Sequence, residues 1–149
     1  MDNYFCADNL YRVWDSVTVD FSFAAAKGTM TVIVGKSGSG KSTVLRLIAG
    51  LEESGKRNDG KECTVRLDGK TITKTAPGKR GIGMVFQSHA LFSHLTVTEN
   101  VAYGLRSRGM GKKEAEAEAE KYIAEFALAG FGKRMPETLS GGEAQRVSL

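Results

Sequence analysis

Two spacings of apolar side chains alternate along this chain. Up to residue 25 the period is two. Residues 4–7 and 9–14 read as short strands, and Val17, Val19, Phe21 and Phe23 fall on one face of a third. Residues 29–34 (TMTVIV) are β-branched and apolar throughout, which predicts a buried parallel strand. Residues 43–49 (TVLRLIA) then carry apolar side chains at 44, 45, 47 and 48, the pattern of a largely buried helix. The stretch 51–62 (LEESGKRNDGKE) has no period and reads as a surface loop. Alternation returns in 63–67 (CTVRL), and Asp68-Gly69 turns it into 70–73 as a hairpin. Residues 75–79 form another connection, and 81–86 (GIGMVF) predict a second short buried strand ending at Gln87.

Helical spacing dominates after Gln87. Thr96 and Glu99 make a capping box for a helix reaching about Leu105, and Gly109 and Gly111 interrupt it. In residues 112–129 (KKEAEAEAEKYIAEFALA), Ala115, Ala119, Tyr122, Ile123 and Phe126 share one face while glutamates cover the rest as a solvated surface. Ser140 and Glu143 form a second capping box. The expected fold is α/β. Residues 1–87 form a core that begins with antiparallel strands, and 88–149 form a helical subdomain.

Composition adds little. The chain has 149 residues, 41% hydrophobic and 26% charged, and its net charge of +4 suits an anionic ligand without indicating nucleic acid. No run approaches the roughly 20 apolar residues of a membrane span. The first residues are too acidic for a secretion signal, so a cytoplasmic location is expected. Cys6 and Cys63 have neither metal-ligand spacing nor a disulfide framework and are expected to be reduced.

The chemistry concentrates in GKSGSGKST. Gly35, Lys36, Ser37, Gly38, Ser39, Gly40, Lys41, Ser42 and Thr43 fit the phosphate-loop pattern G-x-x-x-x-G-K-[ST], set between a predicted strand and a predicted helix. The glycines let the backbone curl and aim N–H groups at an anion, which the positive end of the helix dipole also favours. Lys41 would reach the β- and γ-phosphates of ATP, the Ser42 hydroxyl would hold Mg²⁺, and Thr43 would add a phosphate contact. Trp14, with Tyr11 in reserve, is placed to stack on a base, or else to cap a core. Gln87, at the C-terminal end of a predicted parallel strand, faces the ligand crevice of α/β folds; there it would serve Mg²⁺ and water, unless it is an ordinary loop residue. Leu139, Ser140, Gly141, Gly142 and Glu143 read LSGGE, and glycines in a first helical turn suggest a close backbone approach by a phosphate, or a flexible turn.

With these motifs the chain resembles the nucleotide-binding domain of ABC transporter ATPases. GKSGSGKST matches that family's phosphate loop, Gln87 in MVFQ its Q-loop glutamine, LSGGE with the following Gln145-Arg146 its signature, and Trp14 its base-stacking aromatic. The resemblance implies a P-loop NTPase fold, in which Lys41 and Gln87 serve catalysis and Ser42 and Gln87 serve Mg²⁺. It also implies a head-to-tail dimer with a second nucleotide-binding domain, whose ATP the signature completes. The short stretch between Lys41 and Ser140 leaves no room for the long coiled-coil insertion of chromosome-maintenance relatives. The run KRGIGMVFQSHALFSHLTVTENVAYGL is similar to bacterial small-solute importer subunits. That likeness implies membrane-spanning permease partners docked on 88–94, between Ser88 and His94, with Leu91 and Phe92 as apolar contacts. A solute-binding protein in the full system and a place on the inner face of the cell membrane follow from the same likeness. His89 and His94 do not match the family's catalytic histidine.

The family's next strand carries an aspartate for Mg²⁺ and a glutamate that acts as general base, and the chain stops at Leu149 before it. The expectation is therefore a fragment with an incomplete parallel sheet. Two other readings stand beside the transporter ATPase. One is a non-hydrolysing ATP-binding or interaction fragment. The other is a DNA-associated ATPase, disfavoured by the short motif spacing and the absence of a concentrated basic patch.

Overall fold

The computed structural model describes residues 3–14 and 17–149. Met1 and Asp2, at the head of the stretch judged unlike a secretion signal, lie outside them. The described chain divides into two compact units, Met1–Met84 and Val85–Leu149.

In the first unit β1 (Phe5–Trp14) and β2 (Val17–Ala25) pair antiparallel; β3 (Thr64–Leu67) flanks β1 and β4 (Lys70–Thr71) flanks β3, giving the order β2-β1-β3-β4. The two strands expected at 4–7 and 9–14 are one strand with a bulge. Register slips between Ala7 and Leu10, Asn9 takes φ 55, and its N–H donates to Ser22 Oγ at 2.8 Å. Asparagine tolerates the left-handed conformation such a bulge requires. Asp68 (φ 49) and Gly69 (φ 72) close the β3–β4 turn, as their sequence demands. Helix α1 (Lys41–Ala49) packs on this sheet: Val44, Leu47 and Ile48 join Ala7, Leu10, Val19, Val65 and Ile72 in one buried cluster. Leu45 is 49% exposed, so α1 buries a narrower stripe than its apolar run predicts.

The two expected parallel strands are not formed. Residues 29–34 and 81–86 have no regular ladder, and Met30, Val32 and Val34 are 91%, 70% and 85% exposed. A parallel strand is held only by hydrogen bonds to a neighbour lying alongside it. All pairing among the described residues is antiparallel and belongs to β1–β4, so neither run has such a neighbour. Ile33 and Ile82 alone reach the edge of the core.

The second unit contains α2 (Val97–Ser107), α3 (Lys112–Glu125) and α4 (Gly141–Val147). Both expected capping boxes are present, Thr96 with Glu99 and Ser140 with Glu143. Helix α2 packs on α3 through Ala102, Ala115 and Ala119, small side chains that let the backbones approach. Val97, Ile123, Leu128 and Val147 form a second cluster. Tyr122 and Phe126, expected on the buried face of α3, are 42% and 38% exposed; with Val101, Leu105 and Leu149 they line a groove of about 560 Å³ inside this unit.

Candidate functional site

The phosphate loop enters α1 through two left-handed glycines, Gly38 (φ 78) and Gly40 (φ 89). A Cβ at Gly40 would lie 2.3 Å from Val19 Cγ2, so both the conformation and the space require glycine there. Gly35 faces Ser39 Oγ at 2.8 Å from where its Cβ would stand, and Ser39 N–H donates to the Lys36 carbonyl at 3.2 Å, which curls the loop. Lys36, Ser37, Gly38, Ser39 and Ser42 are exposed on it, with Thr43 half-buried below. Lys41 Nζ folds back over the loop and donates to the carbonyls of Gly35 (2.9 Å) and Lys36 (2.8 Å).

The start of α1 contrasts with those of α2 and α4. Those two close their first turn with Ser or Thr hydroxyls and a glutamate, whereas Gly40 offers no side chain and α1 has no side-chain cap. No acidic residue occupies the first turn of α1 either. The N–H groups of its first turn, which no helix can satisfy internally, are thus left to an anion or to water.

At its other end α1 is closed by Gly50 (φ 76), whose N–H reaches the Leu47 carbonyl, while Leu51 N–H reaches that of Arg46. Arg80 shares the Leu47 carbonyl and takes that of Ile48. Its buried guanidinium donates to Leu47 O (3.3 Å), Ile48 O (2.7 Å), Thr73 O (2.6 Å) and Thr75 O (2.8 Å). Desolvation lowers the Arg80 pKa from its ordinary value. Sequence reasoning missed this residue because a Lys-Arg pair beside Gly81 reads as solvated turn.

Trp14 packs at the edge of the first unit's core, with the Arg12 guanidinium 5.6 Å from its ring centroid. Tyr11 is likewise covered, by Arg57 at 5.2 Å. The structure therefore gives Trp14 a core-edge contact and a cationic neighbour.

Gln87 lies in the second unit and is exposed. Behind it His89 (φ 62) and Ala90 (φ 51) turn the chain, and Phe92 packs on Tyr103 with centroids 4.5 Å apart. One side chain, also missed from sequence, holds this segment. Asn100 Oδ1 accepts from Phe92 N–H (2.8 Å), and its Nδ2 donates to the carbonyls of Phe92, Leu95 and Thr96. In the LSGGE stretch Leu139 packs inward, while the Ser140 hydroxyl caps Glu143 N–H and Glu143 Oε2 accepts from Ser140 N–H at 2.6 Å. Gly141 and Gly142 are exposed, with open space where a Cβ on Gly141 would be.

A sequence profile of the ABC transporter family matches residues 18–149, which include both the phosphate loop and the LSGGE helix. The chain belongs to the ABC transporter family. This ABC transporter chain is 43% identical over 144 residues to the sulfate/thiosulfate import ATP-binding protein CysA of Mycobacterium tuberculosis, covering 96% of the chain and 39% of CysA. It is 45% identical over 130 residues to the Fe(3+) ions import ATP-binding protein FbpC of Rhizobium etli, covering 87% of the chain and 35% of that relative. An FbpC of Agrobacterium fabrum is 41% identical over 144 residues. The chain thus spans well under half the length of the relatives it matches. Among the described residues no helix is long and apolar enough to cross a membrane.

For Mg²⁺ this ABC transporter chain offers the hydroxyls of the loop, Ser42 among them, and no cluster of three acidic, histidine or cysteine side chains among the described residues. That donor set fits an ion held chiefly by phosphate oxygens and water, the usual habit of Mg²⁺.

Proposed function

We propose that this chain is the nucleotide-binding part of an importer ATPase, which couples Mg-ATP binding and hydrolysis to movement of a small solute across the membrane. The observation that carries the reading is the uncapped start of α1 beneath a loop of left-handed glycines, with Lys41 Nζ held on loop carbonyls within reach of an incoming phosphate. Gly35 through Thr43 bind the phosphates, Lys41 exchanging its two carbonyl contacts for phosphate oxygens. Bound Mg²⁺ neutralises phosphate charge, and Ser42 and Gln87 are the residues assigned to it. Trp14 takes the base. Leu139, Ser140, Gly141, Gly142 and Glu143 complete the nucleotide site of a second nucleotide-binding domain in a head-to-tail dimer. Segment 88–94, in which Phe92 is exposed while Leu91 packs against the second unit's core, docks on permease subunits at the inner face of the membrane, in a system supplied by a solute-binding protein. The importer assignment draws on the likeness to the sulfate/thiosulfate and Fe(3+) import ATP-binding proteins.

The test is titration of the chain with a fluorescent ATP analogue and Mg²⁺, alongside phosphate release. Binding that Lys41→Ala abolishes supports the reading, and binding without turnover narrows it to a non-hydrolysing nucleotide-binding part. Binding that survives Lys41→Ala overturns the phosphate-loop assignment. Ser140→Ala is expected to bind ATP normally and to dimerise less on adding it; unchanged dimerisation removes the shared-site assignment.

A further inference from the structure

We infer that Arg80 is a positioning residue for nucleotide binding, holding the phosphate-loop helix α1 from its far end. The inference rests on the nucleotide reading above. Arg80 is 8% exposed, and every acceptor of its guanidinium is a backbone carbonyl. Two of those carbonyls, Leu47 and Ile48, belong to the last turn of α1; the other two, Thr73 and Thr75, belong to the stretch leaving β4.

The guanidinium is planar and rigid, so four bonds to two segments fix the distance between them as a flexible ammonium cannot. Helix α1 has nine residues and is about 13 Å long, so a shift or tilt at its C-terminal end reaches the phosphate-binding amides undiminished. The charge also sits at the negative end of the helix dipole, while the phosphates are expected at the positive end. Leu47 and Ile48 pack that end of the helix into the core, and Arg80 supplies its buried polar tie. The Arg46–Glu52 ion pair there is largely solvent-exposed on the arginine side. Arg80 also begins the run that leads to Gln87, entering it through Gly81 at φ 70. A single buried side chain thus ties the helix to the root of that segment.

The experiment compares the chain with Arg80→Lys, measuring affinity for a fluorescent ATP analogue and the folded fraction by circular dichroism in the same buffer. After correction for folded fraction, Arg80→Lys is expected to bind about tenfold more weakly, the scale of one lost charged hydrogen bond. Arg80→Gln is expected to be weaker still. A folded Arg80→Lys with affinity within about twofold of the parent overturns the inference, because a merely structural arginine changes the folded fraction and not the intrinsic affinity. Hydrogen exchange on the parent chain provides a second readout that needs no variant to fold. Saturating nucleotide should slow the amides of Gly50, Leu51 and Arg80 more than that of Asp68, which bonds to Tyr4 at the far end of the sheet. Equal slowing, or none at the first three, overturns the inference. A parent chain that binds no nucleotide overturns the proposed function itself, and this inference falls with it.

Discussion

A methyl group on Gly50 would lie 2.4 Å from Arg80 Cζ, so the glycine that ends the phosphate-loop helix also makes room for the arginine that holds it. The positive φ of Gly50 adds a second demand for glycine at the same position. Gly50→Ala is therefore expected to destabilise the fold by at least about 1 kcal/mol in urea unfolding. An equally stable Gly50→Ala would mean that Arg80 can leave its carbonyl partners freely.

Gly40 stands in the same relation to Val19. Gly40→Ala places a Cβ against Val19 Cγ2 at φ 89, so it should lower stability and weaken ATP-analogue binding together. Lys41→Ala should separate the two effects. Its lost hydrogen bonds are solvent-exposed, so the melting midpoint should stay near that of the parent while binding disappears.

The capping boxes predict a pH dependence. Hydrogen bonds from the Thr96 backbone and side chain hold the Glu99 pKa below its ordinary 4.5, and Ser140 does the same for Glu143. A carboxylate whose pKa is depressed in the folded state contributes stability that is fully present above 4.5 and is lost as pH falls through the lower folded value. Denaturant midpoints measured between pH 7 and pH 3 should fall at the acid end. Glu99→Gln should flatten part of that fall. A second loss is expected lower, where Asp59, held at about 2 chiefly by Arg57, takes up its proton.

Asn100 gathers the 92–96 turn onto α2 with four hydrogen bonds from one amide. Asn100→Leu keeps the size and leaves Phe92 N–H and the Leu95 carbonyl without that partner, so it should cost about 1–3 kcal/mol. Hydrogen exchange should quicken first at Phe92. Unaltered exchange there would show that the Phe92–Tyr103 contact suffices to hold the segment.

What the sequence determined by itself is what depends on near neighbours. The strands β1 to β4, the Asp68-Gly69 turn, both capping boxes and the glycine-rich entry to α1 follow from alternation, turn chemistry and residues three or four apart, and the phosphate loop is legible for the same reason. The tertiary structure decided what depends on distant partners. Residues 29–34 and 81–86 carry strand-like patterns, yet a parallel strand exists only beside another, and the pairing among the described residues is antiparallel and lies elsewhere. Tyr122 and Phe126 share the apolar face that α3 begins, but the burial of that face is set by what α2 and α4 cover, and they leave both residues partly in solvent. Arg80 and Asn100 look like surface residues in the sequence. Folding brings backbone carbonyls to each, four to Arg80 and three to Asn100, a convergence that no local pattern in the sequence predicts.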